Sequence, residues 1–276
     1  MKLRTRALFV LSALFLAACA GWAGMRAYVE SEVRAGLNGL RPGLDVTFSV
    51  LTFDLFPRGV VLTGLTARTP EGPVLRAERA RIEAFDLDHA TPHFVRAAFI
   101  GLTVEDPAWG WMIPPCRAHV DYRYDPQSRE LTVNRLSLDQ PETFQADLSG
   151  RFGNLDLERV QDGQYFASSL AGLELRYRDR SLLGRVLQRV AAQFQTSEAA
   201  LRTRAALWLA AREAQARSRG EAASASALEA LGRFARTPGE LTVSLAPAEP
   251  VPFLYLIADG NLPQMLALLN ARVEAR

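Results

Sequence analysis

Ala118-His119-Val120-Asp121-Tyr122-Arg123-Tyr124-Asp125 alternates small, aliphatic or aromatic residues with His119, Asp121, Arg123 and Asp125. A repeat of two is the side-chain period of an extended strand, so this stretch has one apolar face and one wet face. The same signal extends in both directions, from Leu44 to about Arg178, broken by turn residues every ten to eighteen positions, as in an antiparallel β domain. Strands are expected at Val60 to Ala67, Val74 to Leu87, Phe94 to Val104, Glu130 to Leu138, Phe144 to Gly150 and Leu170 to Tyr177. Breaks are expected at Thr69 to Pro73, Pro92, Pro107, Pro114-Pro115, Asp125-Pro126 and Pro141. Leu44, Val46, Phe48 and Val50 hold one phase and Leu51, Phe53 and Leu55 the other, which predicts a bulge or bend near Val50. In Phe94 to Val104, Val95 and Phe99 oppose Phe94, Ile100 and Leu102, so that strand reads as apolar on both faces and asks for two covers.

At Asp179 the period changes. Leu182, Leu183, Val186, Leu187, Val190 and Phe194 fall on one face of a helix that Ser181 or Asp179 would cap. Ser197 is placed to cap a second helix carrying Leu201, Ala205, Trp208 and Leu209. A third runs from Glu221 to Ala235 with Leu228, Leu231 and Phe234 inward. After Pro238-Gly239, Leu241, Val243 and Leu245 read as a strand, Leu262 to Leu269 as a short helix, and Ala271 to Glu274 as a return to a sheet.

Hydrophobic residues make up 49% and charged residues 22% of the 276, which excludes disordered, collagen-like and multi-spanning classes. Of 32 basic residues only Lys2 is a lysine, and the formal charge of +2 is too small to imply nucleic acid as a partner. Lys2, Arg4 and Arg6 precede the uncharged run Ala7 to Met25. As a helix of nineteen residues it would span roughly 28 Å, close to the hydrocarbon core of a bilayer, with the basic flank kept cytoplasmic. Two fates fit it: an uncleaved signal anchor, single-pass in an inner membrane with the body in the periplasm, or a lipoprotein lipidated at Cys19, since Leu16-Ala17-Ala18-Cys19 has the spacing of a lipobox. The resulting divisions are 1–28 signal anchor or lipoprotein-like signal, 29–43 juxtamembrane helix, 44–178 β-rich domain, 179–237 helical segment and 238–276 a strand and short helix closing the β domain. The fold class expected is α+β, a curved sheet or open trough with three helices packed against it. Cys116 lacks an intramolecular partner and reads as a small half-buried residue.

Signatures of catalysis are missing: there is no glycine-rich phosphate loop, no Cys-x-x-Cys and no Gly-x-Ser-x-Gly turn. Asp86-Leu87-Asp88-His89-Ala90-Thr91-Pro92-His93 gathers two carboxylates and two of the three imidazoles in the chain. Pro92 forbids a helical His-x-x-x-His face, and an extended chain would hold the rings about 13 Å apart, so a solvated loop is expected, with no metal and no other cofactor. Trp109, Trp111, Met112 and Ile113, between Asp106 and Pro115, form either a core plug or a tip contacting lipid or a partner. Arg185, Arg189, Arg202, Arg204, Arg212, Arg217 and Arg219 read as a solvated helical face or as contacts for anionic head groups.

Thr52-Phe53-Asp54-Leu55-Phe56-Pro57-Arg58-Gly59-Val60-Val61-Leu62-Thr63-Gly64-Leu65, followed by Gly72 to Glu83, resembles the opening of AsmA-like proteins of the Gram-negative envelope. In these a membrane anchor leads to a strand, a Phe-Pro step, a strand ending in a Gly-Leu or similar turn and an Ala-Glu-x-Ala/Val-x-Ile strand. The resemblance covers about residues 7 to 104. It implies a periplasmic sheet curved into an open trough and a non-enzymatic role in lipid handling or outer-membrane homeostasis, with phospholipid as ligand. The chain is similar at the same level to the anchored N-component of type II secretion systems, which implies a protein-interaction scaffold of an envelope assembly instead. The chain departs from the AsmA-like pattern in its shortness and in its helices between 180 and 236.

Overall fold

A computed structural model describes residues 31, 33, 35, 45–55, 58–68, 72–86, 88–89, 91–106, 111–157, 167–258 and 261–276. The expected anchor, Cys19 and most of the juxtamembrane helix lie outside them. Among the described residues no helix is long and apolar enough to cross a membrane.

The fold is α+β. Twelve strands form one open sheet: β1 (Asp45–Thr47), β2 (Val50–Leu55), β3 (Arg58–Arg68), β4 (Val74–Phe85), β5 (Phe94–Asp106), β6 (Trp111–Asp125), β7 (Glu130–Gln140), β8 (Phe144–Gly153), β9 (Ser169–Asp179), β10 (Glu240–Leu245), β11 (Val251–Pro252) and β12 (Arg272–Ala275). From β3 to β9 each strand pairs antiparallel with the next, while β1 and β2 share one edge of β3 and β11 lies on β9. Helices α1 (Leu182–Gln193), α2 (Glu198–Ser218) and α3 (Ala222–Arg236) are inserted between β9 and β10, which are neighbours in the sheet. Two short helices follow, α4 (Phe253–Ala258) and α5 (Leu262–Leu268), and β12 closes the edge against β10.

Residues directly opposite each other across an antiparallel ladder share a face. Following the register from strand to strand, Leu51, Leu62, Ala80, Phe99, Ala118, Leu138, Ala146, Tyr177, Leu241 and Ala275 form one unbroken row from β2 to β12. The adjacent row, from Val60 through Ile82, Ala97, Val120, Leu136, Leu148, Leu175 and Val243 to Val273, is also wholly apolar. On the other face the row through Arg81, His119, Ser137, Asp147, Arg176, Thr242 and Glu274 is mostly polar. From β4 to β12 the sheet is therefore one-sided, whereas at β3 the polar face carries the buried Val61.

This corrects the two-faced reading of β5 at Leu102, while Phe94 and Ile100 oppose Val95 and Phe99 as expected. Phe99 is opposite Ala118 and Leu102 is opposite Cys116, so a shift of register returns Leu102 to the face of Phe99. Gly101, between them, has φ +66°, a conformation open to glycine at no steric cost. Gly64 of β3 does the same with φ +65°, which lets Leu65 pack beside Leu51, Leu62 and Ala80. Only Phe94 and Ile100 remain on the wet face, 41% and 49% exposed. A Cβ at Gly101 would approach the Glu78 side chain to 2.6 Å in addition to the backbone strain. Gly101→Ala is expected to lower stability by about 1–3 kcal/mol, readable as a lower urea midpoint at unchanged slope. The expected bend near Val50 falls two residues earlier, at Phe48-Ser49 between β1 and β2, where the Ser49 amide donates to the Thr63 carbonyl at 2.9 Å.

Pro114-Pro115 do not end a strand as expected. They lie inside β6 where its register against β5 shifts, and beyond the point, Arg117, at which pairing with β7 begins, so their missing N–H groups cost the ladder little.

The helices start as their sequences dictate. Ser197 Oγ accepts from the Ala200 amide at 3.1 Å. At α1, Asp179 rather than Ser181 supplies the acceptor: its Oδ1 takes the Leu183 amide at 2.9 Å, while Ser181 Oγ donates to the Glu142 carbonyl. The buried Thr143 carbonyl accepts from the amides of Arg180, Ser181 and Leu182, fixing the exit from β9. α3 turns Ala225, Ala227, Leu228 and Ala230 inward, and these small residues bring it close to Leu241, Val243 and Val273 of the sheet. Phe234 reaches on to the Tyr177 ring, with ring centres 5.9 Å apart. Behind it, α2 adds Ala216 and Leu209.

Candidate functional site

Two features stand out: the apolar face and the loop from β4 to β5. The apolar face is covered at its two ends. The helical residue Val33 packs with Leu51, Leu62 and Ala80; α3, α4 and α5 cover β9 to β12, where Leu170, Val251 and Leu269 form a second nucleus with Phe152, Phe253 and Leu256. Among the described residues no helix packs extensively on β5, β6 or β7, and α4 reaches the end of β8, where the Phe253 and Phe152 rings stack with centres 6.2 Å apart. On these strands Phe99, Val120, Leu138 and Leu148 are half-buried, and Leu136 is 37% exposed. Ala97, Cys116 and Ala118 are buried between these larger neighbours. Contiguous apolar surface of this kind on a folded chain marks a place where something else binds.

The wet face is different in kind. Arg96–Asp121, Arg135–Asp147 and Arg178–Glu240 pair across neighbouring strands, all in contact with solvent, where such pairs add little to stability. Two depressions of about 330 and 420 Å³ on it are open to solvent and lined by such residues as Asp147, Arg176 and Glu174. Neither converges polar groups on an enclosed space.

The β4–β5 loop is organised by one buried carboxylate. Asp86 is 4% exposed; its Oδ1 accepts from the Asp88 amide at 3.0 Å, and its Oδ2 accepts from the His93 amide at 2.8 Å and meets His89 Nδ1 at 2.8 Å. Burial pushes the Asp86 carboxyl up, and the two amides with the His89 imidazole outweigh it, holding the group below its ordinary value. Tyr122 Oη donates to the Pro92 carbonyl at 3.0 Å, and its phenol, desolvated and near Asp86, is pushed up to about 12. With the loop closed in this way the His89 and His93 rings stack with centres 3.8 Å apart, and His93 meets the edge of Tyr124. The 13 Å separation expected from an extended chain is not what the loop adopts, because Asp86 gathers residues two, three and seven positions ahead of it.

The remaining residues singled out in the sequence are dispersed. Trp111, Met112 and Ile113 open β6 and their side chains, with Trp109, lie outside the described residues. Cys116 is buried and donates to the Leu102 carbonyl at 3.3 Å; burial, with Asp139 nearby, raises its thiol above the ordinary value, the opposite of an activated nucleophile. Among the helical arginines, Arg202 pairs with Glu198, Arg217 with Glu213 and Glu229, and Arg212 lies 5.6 Å over the Trp208 ring. The organising role of Asp86 was missed in the sequence, where only its closeness to two histidines signalled it.

No curated protein and no solved structure matches the chain. Residues 52–83, which carry the AsmA-like resemblance, precede the stretch that matches a family. That stretch runs from β7 to the last strand, and the chain belongs to the family described as "Uncharacterized protein", whose model matches residues 137–276.

Proposed function

We propose that this chain is a non-enzymatic envelope protein of AsmA-like type, anchored in the inner membrane by Ala7 to Met25 with its body in the periplasm, that handles phospholipid along an open trough. The observation that carries this reading is the pair of unbroken apolar rows spanning the sheet, covered at both ends and, among the described residues, without an extensive helical cover over β5 to β7. An acyl chain needs apolar contact along its length and no directed hydrogen bonds, and a row of Phe99, Val120, Leu136, Leu138 and Leu148 supplies that. The AsmA-like resemblance and the apolar N-terminal run support the same reading.

The test is native mass spectrometry with lipid extraction on the full chain, purified from the membranes of a Gram-negative host. Bound phospholipid is expected. Leu136→Glu with Leu148→Glu, which puts two charges on the half-exposed middle of the face, is expected to lower bound lipid at least tenfold with the circular dichroism spectrum unchanged. A lipid-free chain that carries one stoichiometric protein on this face would replace the reading with a scaffold of an envelope or secretion assembly.

A further inference from the structure

We propose that Asp86, His89 and His93 form a binding site for a divalent transition-metal cation of the zinc class. Each contributes one ligand atom, and the three lie within 4.8 Å of one another, a spread that a small shift of side chains closes around one ion. Two imidazoles and a carboxylate are a donor set that suits zinc, nickel or copper and discriminates against magnesium and calcium, which take oxygen.

The loop already brings the donors together. Asp86 Oδ2 and His89 Nδ1 lie 2.8 Å apart, within reach of one ion, which takes the place of the proton they share and leaves the ring's remaining proton on Nε2. The carboxylate is held in place by the amides of Asp88 and His93, which donate to its Oδ1 and Oδ2 at 3.0 and 2.8 Å. His89 is half exposed, giving an ion access from solvent, whereas His93 is seated against Tyr124. The rings stack with centres 3.8 Å apart and 19° from parallel, so a turn of the half-exposed His89 about its side-chain bonds is the adjustment an ion would require. Three protein groups leave a fourth tetrahedral position to solvent, so the site is of the open kind.

The site is independent of the lipid reading and is tested on the full chain with Zn²⁺ alone, by competition against a chromophoric chelator, and with Co²⁺ by visible absorption. One ion per chain is expected. His89→Gln, His93→Gln and Asp86→Asn each remove one ligand and are expected to weaken binding at least about tenfold, the two histidine variants also abolishing the Co²⁺ ligand-field bands. His119→Gln, which alters the remaining histidine on the wet face of β6, is expected to leave binding unchanged. Both histidine variants keep the Asp86 carboxylate and its backbone hydrogen bonds, so loss of binding in them with an unchanged melting temperature of the metal-free protein separates ligation from folding. Failure of the wild type to bind Zn²⁺ more tightly than the His89→Gln, His93→Gln double variant would overturn the proposal, as would full binding by that double variant.

Discussion

Leu228→Ala is expected to cost about 2–5 kcal/mol, toward the upper end of that span. Leu228 is fully buried at the centre of α3 and is, with Leu266, one of the two largest side chains of a cluster otherwise built from Ala216, Ala225, Ala227, Ala230, Ala271 and Val273. The alanines that let α3 lie close to the sheet are what make the loss severe. They have no side chain to swing into the space, and the helix cannot settle closer because its Ser224 hydroxyl is tied to the Pro263 carbonyl at 2.8 Å and its flank is packed on α2. Urea unfolding of the full chain followed by tryptophan fluorescence should show a reduced midpoint, and thermal unfolding a fall of several degrees. Unchanged curves would mean that the helical layer is not seated on the sheet through this residue.

Asp86→Ala is expected to cost about 2–3 kcal/mol, because it strips two backbone amides and one imidazole of a charged acceptor at a position closed to water. The effect depends on pH with a definite sign. The carboxyl titrates below its unfolded value of 3.8, so the stabilisation it gives is fully present above that value and is lost as pH falls through the lower, folded one. The gap in stability between wild type and Asp86→Ala should therefore be constant from pH 7 to about pH 5 and should shrink as the pH falls through the carboxylate range. A gap that widened on acidification would show that Asp86 is protonated in the folded chain.

Much of the fold was legible because its causes are local. Alternation located β3 to β9 within a few residues except at the start of β6, which lies at Trp111 rather than Ala118, and the change of period at Asp179 located α1, since both signals are carried by neighbours in sequence. The errors come from partners distant in sequence. Leu102 reads as facing away from Phe99 until the register with Cys116 and Ala118 shows an added residue between them. Pro114-Pro115 read as a break because the sequence does not say that β7 stops short of them. Helix α4, six residues from Phe253 to Ala258, is too short to establish a period and was missed. The histidine loop was misjudged for a similar reason: the distance between two rings in a loop is set by what the loop folds around, and Asp86 reaches across to His93 without any spacing rule that announces it.

The insertion of α1, α2 and α3 between adjacent strands divides the molecule into two classes of contact in time. Hairpins such as β6–β7, turned within Pro126 to Arg129, close short loops, whereas the Arg178–Glu240 link joining β9 to β10 spans 62 residues. Pulse-labelled hydrogen exchange during refolding should therefore record early protection in β6, β7 and β8 and late protection in β10 and β12. In the interval between these events the edge of β9 offers its unpaired amides and carbonyls to any extended chain nearby, so intermolecular strand addition is the main competitor of correct refolding as protein concentration rises.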